Sequence, residues 1–200
     1  DTEYNAERFM KEIIDSGELG AIRRTSWIIT NWFRSQAYYD SGTWRATWSG
    51  EGGGVLLNQC PHQLDIFQWI CGMPSKVQAN IHFGKWHNIE VDDDVTCYLE
   101  YPNGATGTFI TSTGDAPGTN RFEITGTLGK ILCDDKLGLR MYVNEMDERE
   151  FNATYTGGFG EPKWNEVPVE HDGKDPGHVG ILTNFTNVLL GREELFVDGR

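Results

Sequence analysis

Between Lys76 and Val143 the chain breaks into six short runs rich in β-branched and aromatic residues, with almost no chain to spare between them. The runs are Lys76 to Trp86, Asp93 to Tyr101, Ala105 to Ser112, Asn120 to Gly126, Gly129 to Asp134 and Leu137 to Val143. Runs of this kind bounded by turn residues predict strands. Pro102-Asn103-Gly104 and Gly126-Thr127-Leu128-Gly129 are the clearest turns. A parallel neighbour needs a crossover of about a dozen residues or more, so connections this short predict antiparallel pairing.

The flanks complete the outline. Thr2 to Ser16 predicts a helix, because Phe9, Ile13 and Ile14 recur at helical spacing and Gly17 ends the pattern. Ala21 to Phe33 predicts a strand, and Arg34 to Gly52 a long loop. Gly53 to Gly72 predicts a helix whose apolar stripe is Leu57, Cys60, Leu64, Phe67 and Cys71. Pro61 lies inside it and predicts a bend or a restarted helix. Glu145 to Lys174 reads as irregular, with a strand at Asn165 to Val169, and Pro176 to Leu190 as a last helix stopped by Gly191. The whole order predicts one α+β domain over residues 1–200: an open, mainly antiparallel sheet with helices on one face. The other face is expected to be unusually apolar or covered by a second copy.

The formal net charge of −13 excludes two classes of partner. Nucleic acid and anionic membrane surfaces both need clustered Lys and Arg. No apolar run approaches the length of a membrane span. Cys60, Cys71, Cys97 and Cys133 are scattered, with no paired spacing, and read as reduced thiols of a cytoplasmic protein. No Gly-x-Gly-x-x-Gly stands between a strand and a helix, so no dinucleotide site is expected here. The opening at Asp1 and the ending at Asp198-Gly199-Arg200 suggest a piece of a longer protein.

The chemistry concentrates in two stretches. The first runs from Gly52-Gly53-Gly54 through Asn58 and His62 to Asp65. Glycines before a helix let another backbone or a ligand approach closely. Asn58 and His62 are four apart and are expected to share a helix face beside the apolar stripe. Asp65, one turn on, is placed to orient the imidazole. From spacing alone, His62 reads more readily as a residue that caps or hydrogen-bonds within the domain. The second stretch is the loop. Arg34, Tyr38, Tyr39, Trp44, Arg45 and Trp48 are the residue types that stack on sugars and fork onto hydroxyls or carboxylates. They are also residues that pack a loop onto a sheet. His178 reads either as ligand-facing or as a surface histidine at a helix start. Asp92-Asp93-Asp94 reads as a solvated turn, since consecutive strand residues alternate in direction and do not converge on a metal. His82 and His87 lack further ligands, so no metal is expected.

The run Gly-Gly-Gly-Val-Leu-Leu-Asn-x-x-x-His-x-x-Asp resembles the helix motif of the glucose–fructose oxidoreductase and inositol dehydrogenase family. The segment ending Ile14-Asp15-Ser16-Gly17-Glu18-Leu19-Gly20, the approach from Trp48 to Gly54, and the closing helix followed by Asp198-Gly199 fit it too. The resemblance implies the C-terminal domain of an NAD- or NADP-dependent dehydrogenase, with a dihydrodipicolinate-reductase-like sheet. The nucleotide would bind an N-terminal domain absent from this chain. It implies His62 as the group that takes a proton from a substrate hydroxyl, and a carbohydrate-like substrate bordered by Trp44, Arg45, Tyr39, Arg34 and His178. It implies a homodimer or homotetramer through the open sheet face. The family's usual aspartate position is Asn58, which can orient a hydroxyl but carries no charge. On this reading Asn58→Asp is expected to be tolerated. Two other uses of the fold stay open: carbohydrate binding or assembly without chemistry, and nicotinamide-assisted glycoside cleavage.

Overall fold

The computed structural model describes residues 2–169 and 177–195, with the side chains of residues 2–5, 177, 178 and 181 outside the description. The elements are α1 (Thr2–Ser16), β1 (Ile22–Ile29), α2 (Gln36–Asp40), a π-helical turn (Val55–Gln59), α3 (Pro61–Cys71), β2 (Lys76–Phe83), β3 (Asp92–Glu100), β4 (Thr106–Ser112), β5 (Asn120–Gly126), β6 (Gly129–Asp134), β7 (Gly138–Asn144), α4 (Glu148–Thr154), β8 (Trp164–Val167) and α5 (Gly177–Leu189). The strands form one open sheet in the order β2-β3-β4-β1-β5-β6-β7-β8. Every pairing is antiparallel except β1 with β4, where the chain between them is long enough for a crossover.

The sheet alternates with period two, and one face carries the core. Trp27 on β1 lies opposite Phe109 on β4 and Phe122 on β5. Trp27 stacks on Phe122 with centroids 4.5 Å apart. Phe67 from α3 closes over this platform, 5.7 Å from Phe109 and 5.5 Å from Phe122. Met10 and Ile13 of α1 join Ile70, Ile124 and Ile131 in the same cluster. Burying an aromatic of this size contributes about 1.5–3 kcal/mol, which fixes α3 against the sheet centre.

The second face is not unusually apolar. Register places Ser26, Thr96, Thr108, Arg121, Glu123, Thr125 and Lys130 on it, with Ile28, Ile110 and Leu132 between them. Glu123 bonds Arg121 at 2.7 Å and Lys130 at 3.0 Å. Burial pushes its carboxyl up, but those two cations outweigh it and hold it below the usual carboxylate range. Threonines and paired charges satisfy this face without an apolar cover.

The segment Gly53 to Gly72 is not one helix. A π-helical turn comes first, Cys60 breaks it with φ −114° and ψ 25°, and α3 restarts with Pro61 in its first turn. The extra residue of the π turn shifts the stripe: Val55 is buried, while Leu57, placed on the stripe by its spacing, is 56% exposed. Two short helices lie where loop was expected. α2 starts at Ser35, whose side chain accepts from Tyr38 N–H, and α4 at Asp147, whose carboxylate accepts from Arg149 N–H.

Three thiols are shielded. Burial pushes Cys60 up to about 12 and also raises Cys71 and Cys97. Thiolate is the reactive form, so native Cys60 and Cys71 are expected to alkylate at pH 8 at least ~100-fold more slowly than in urea. Mass spectrometry of iodoacetamide-treated protein checks this. Rapid native labelling of Cys60 would mean the π turn opens easily.

Candidate active site

The aspartate run at 92–94 is no solvated turn. Asp92 and Asp93 are buried, at 7% and 0% exposure. Gly54 N–H donates to Asp92 Oδ1 at 2.8 Å, and Leu56 N–H to Oδ2 at 2.9 Å. This carboxylate draws the glycine-rich entrance onto β3 and seeds the π turn. Gly54 is required there: a Cβ would meet the Asp92 carbonyl oxygen at 1.9 Å. Asp93 instead accepts from the N–H groups of Lys85, Trp86 and His87, at 2.9, 2.8 and 3.1 Å. His87 Nδ1 faces the same carboxylate at 3.1 Å, and His87 Nε2 donates to the Arg34 carbonyl at 2.9 Å. Asp94 binds Lys85 Nζ and Trp86 Nε1. Alternation kept the aspartates from converging, but the folded connection after β2 wraps back to meet them.

The loop from Arg34 to Gly52 is therefore stapled to the β2–β3 connection. Asn88 N–H donates to Gln36 Oε1 at 2.8 Å, Glu90 N–H to the Ala46 carbonyl at 3.2 Å, and Trp48 N–H to Glu90 Oε2 at 3.2 Å. Within the loop Tyr38 is the hub. The Arg34 guanidinium lies 5.2 Å from its ring and that of Arg45 4.6 Å, with Arg45 equally close to Trp44. Arg45 Nη1 donates to Tyr38 Oη at 3.0 Å and Nε to Ser41 Oγ at 3.1 Å. Cation–π contacts preset the Arg45 fork.

The proposed sugar-binding residues separate on this geometry. Tyr39 is packed, not offered to a ligand: its hydroxyl donates to Thr113 Oγ1 at 3.0 Å and its ring lies 4.8 Å from His87. Burial raises its phenol. Arg34 Nη1 is spent on the carbonyls of Trp32 and Phe33. Trp44 and Trp48 stay 51% and 53% exposed, so they are the faces available for stacking. His178 is the second residue of α5, and its side chain lies outside the described residues.

Asn58 is the next-to-last residue of the π turn and His62 lies in the first turn of α3, both exposed, with the Cys60 break between them. They are neighbours across a helix junction, not on one continuous helix face. Asn58 Nδ2 donates to Glu51 Oε1 at 2.6 Å, and its Oδ1 accepts from Gln59 Nε2 at 2.7 Å. Glu51 was not singled out by the sequence, although it stands only seven residues from Asn58. Among the described residues His62 has no hydrogen-bond partner, and Asp65 does not orient it. Asp65 is exposed, and water competes for an i,i+3 contact there. A depression of about 480 Å³ is lined by Tyr39, Arg45, Thr47, Asn88, Ile89 and Glu90, but not by Asn58 or His62. Its walls are the loop staples. No group of three or more His, Cys, Asp or Glu among the described residues is placed to hold a metal. No helix there is long and apolar enough to cross a membrane.

The profile of the GFO/IDH/MocA C-terminal domain matches residues 8–132. Levoglucosan dehydrogenase from Pseudarthrobacter phenanthrenivorans is 28% identical over 154 residues, 61% of this chain and 39% of that protein. Trans-1,2-dihydrobenzene-1,2-diol dehydrogenase from Bos taurus is 36% identical over 87 residues, 42% of this chain and 25% of that protein. The WlbA dehydrogenase of Bordetella pertussis, solved with NADH and UDP-GlcNAcA, superposes with a TM-score of 0.72 at 24% identity, covering 96% of this chain and 52% of its own. A levoglucosan dehydrogenase solved with NADH and L-sorbose superposes at 0.69 and 19% identity, covering 96% of this chain and 55% of its own. At these identities the superpositions speak to the fold. The chain spans about half the length of those solved structures.

Proposed function

This chain belongs to the GFO/IDH/MocA C-terminal domain family, and from that premise we propose that it is the substrate-binding half of a nicotinamide-dependent sugar or polyol dehydrogenase. The observation that carries the reading is the contrast between two histidines. His87 has both ring nitrogens committed inside the fold, whereas His62 is exposed and unpartnered among the described residues. A histidine needed only for packing would resemble the first.

The residues of this chain do not fit the dinucleotide itself. The glycine-rich helix entrance at Gly52-Gly53-Gly54 has the Gly54 and Leu56 N–H groups already bound to Asp92, an anion that repels pyrophosphate. NAD or NADP is therefore assigned to another half of a longer protein, where the nicotinamide supplies the hydride acceptor. The present residues handle the alcohol. His62 Nε2 or Nδ1 takes the hydroxyl proton as general base, Asn58 positions that hydroxyl, and Trp44 with Arg45 borders the sugar ring. A site formed between two halves is expected to be an open edge on either one alone, which agrees with the exposure of these groups. The polar open sheet face, with its threonines and paired charges, suits a homodimer or homotetramer held by cross-sheet contacts.

The test is a screen of the full-length protein with NAD⁺ and NADP⁺ against neutral sugars, anhydrosugars, polyols and sugar acids. Reduced nicotinamide is the readout. The expected result is cofactor reduction with at least one carbohydrate, and a raised KM in Trp44→Ala. Binding of sugars without cofactor reduction would replace the dehydrogenase reading by one of carbohydrate binding.

A further inference from the structure

Glu51 touches Asn58 and the residue that directly follows the Trp44-Arg45 pair. Its Oε2 accepts from Ala46 N–H and its Oε1 from Asn58 Nδ2, each at 2.6 Å. Ala46 directly follows Trp44-Arg45, is 2% exposed, and has φ +51°. It is the one non-glycine residue with positive φ among the described residues. A left-handed alanine is unfavourable and persists only where its surroundings fix it. A charge-assisted bond to its N–H is such a restraint. Asn58 is fixed from both edges. The carboxylate is acceptor-only, so the amide turns Nδ2 toward Glu51, and Oδ1 receives Gln59 Nε2.

We propose that Glu51 is the positioning residue of this site. One carboxylate sets the exit of the Trp44-Arg45 segment and the direction of the Asn58 amide, and it is the anion beside the Asn58–His62 edge. The proposal rests on the substrate roles given above to Asn58, Trp44 and Arg45. It also reverses the expectation that Asn58→Asp is tolerated. Because both Glu51 oxygens accept, position 58 has to donate. Aspartate there sets one carboxylate against another.

The pair can be rebuilt with reversed polarity. Glu51→Gln keeps one acceptor for Ala46 N–H but presents its NH₂ to position 58, so the Asn58 amide has to flip and turn its Nδ2 away from Glu51's place and toward Gln59 Nε2. Asn58→Asp opposes two anions. The double variant Glu51→Gln/Asn58→Asp restores a match, since the Gln NH₂ donates to the Asp carboxylate while its oxygen keeps Ala46. The experiment measures all four full-length proteins by denaturant unfolding and by turnover of the best carbohydrate from the screen. Each single variant is expected to lower both the unfolding midpoint and kcat/KM, the latter roughly 10- to 100-fold. The double is expected to recover to within about fivefold of wild type, a strong departure from additivity. Additive losses in the double, or a Glu51→Gln protein equal to wild type, would overturn the pairing.

A further variant separates positioning from simple support of the turn. Ala46→Gly removes the left-handed penalty. Added to Glu51→Ala, which loses both acceptors, it is expected to recover much of the unfolding midpoint but leave kcat low, because Asn58 remains undirected. Recovery of kcat together with stability would reduce Glu51 to a structural prop. The unfolding cycle needs no substrate. Coupling between positions 51 and 58 with undiminished turnover in His62→Ala would therefore sink the catalytic reading and spare the pair. The opposite pattern would spare the catalytic reading alone.

Discussion

His62→Ala is expected to slow turnover of the full-length enzyme by roughly 10²- to 10⁴-fold, the usual worth of a general base, with little change in substrate KM. The imidazole is an exposed side chain of general-base type beside Asn58. It makes no hydrogen bond within the described residues, so its loss removes no fold contact, and the unfolding midpoint should stay near wild type. Near-normal turnover in His62→Ala would return this histidine to the surface.

Asp93→Ala carries the largest expected cost in stability, about 3–5 kcal/mol by denaturant unfolding, as for other buried charged partners removed alone. The Asp93 side chain is wholly buried. It accepts from three backbone N–H groups and faces His87 Nδ1, so its removal orphans several donors at once. The damage should not stay local. His87 passes the restraint on to the Arg34 carbonyl, and the Trp44-Arg45 segment hangs on the same connection through Glu90. The variant is therefore expected to raise substrate KM even at temperatures where it remains folded. Asp93→Asn keeps one acceptor and should lose distinctly less. Equal, small losses in both would show that water replaces the carboxylate without cost.

The sheet was legible because its signals are local. Turn residues fell at the ends of each run, and six expected strands appear close to their expected limits. The parallel β1–β4 pair was not legible, since nothing in a strand's own residues names a partner some eighty positions away. The π turn escaped for the same reason: its cause is Asp92, a side chain from a distant strand. The helical spacing of Leu57 pointed to burial until that carboxylate changed the period. Helix α4 was different, because Asp147 before Glu148 and Glu150 is a readable start signal that the glycine-rich surroundings obscured. At the candidate site the residue types were legible, but their division of labour was not. Tyr39 and Trp44 look alike as sugar-stacking aromatics, and only the fold shows that one is packed and the other exposed. Glu51 carried no motif, and its meaning lies wholly in what its two oxygens touch.

The placement of β1 in the middle of the sheet has a consequence for synthesis. Ser26 pairs with Thr108 on one side and Glu123 on the other. The first partner appears only after roughly 80 further residues and the second after roughly 100, which takes about 4–20 s at ordinary elongation rates. For that interval Trp27-Ile28-Ile29 leaves the ribosome as an apolar strand with nothing to pair with. The β5–β6–β7 meander, by contrast, closes through short hairpins as soon as it emerges. The centre of this sheet therefore cannot close before β4 and β5 have both emerged, however early β1 was made.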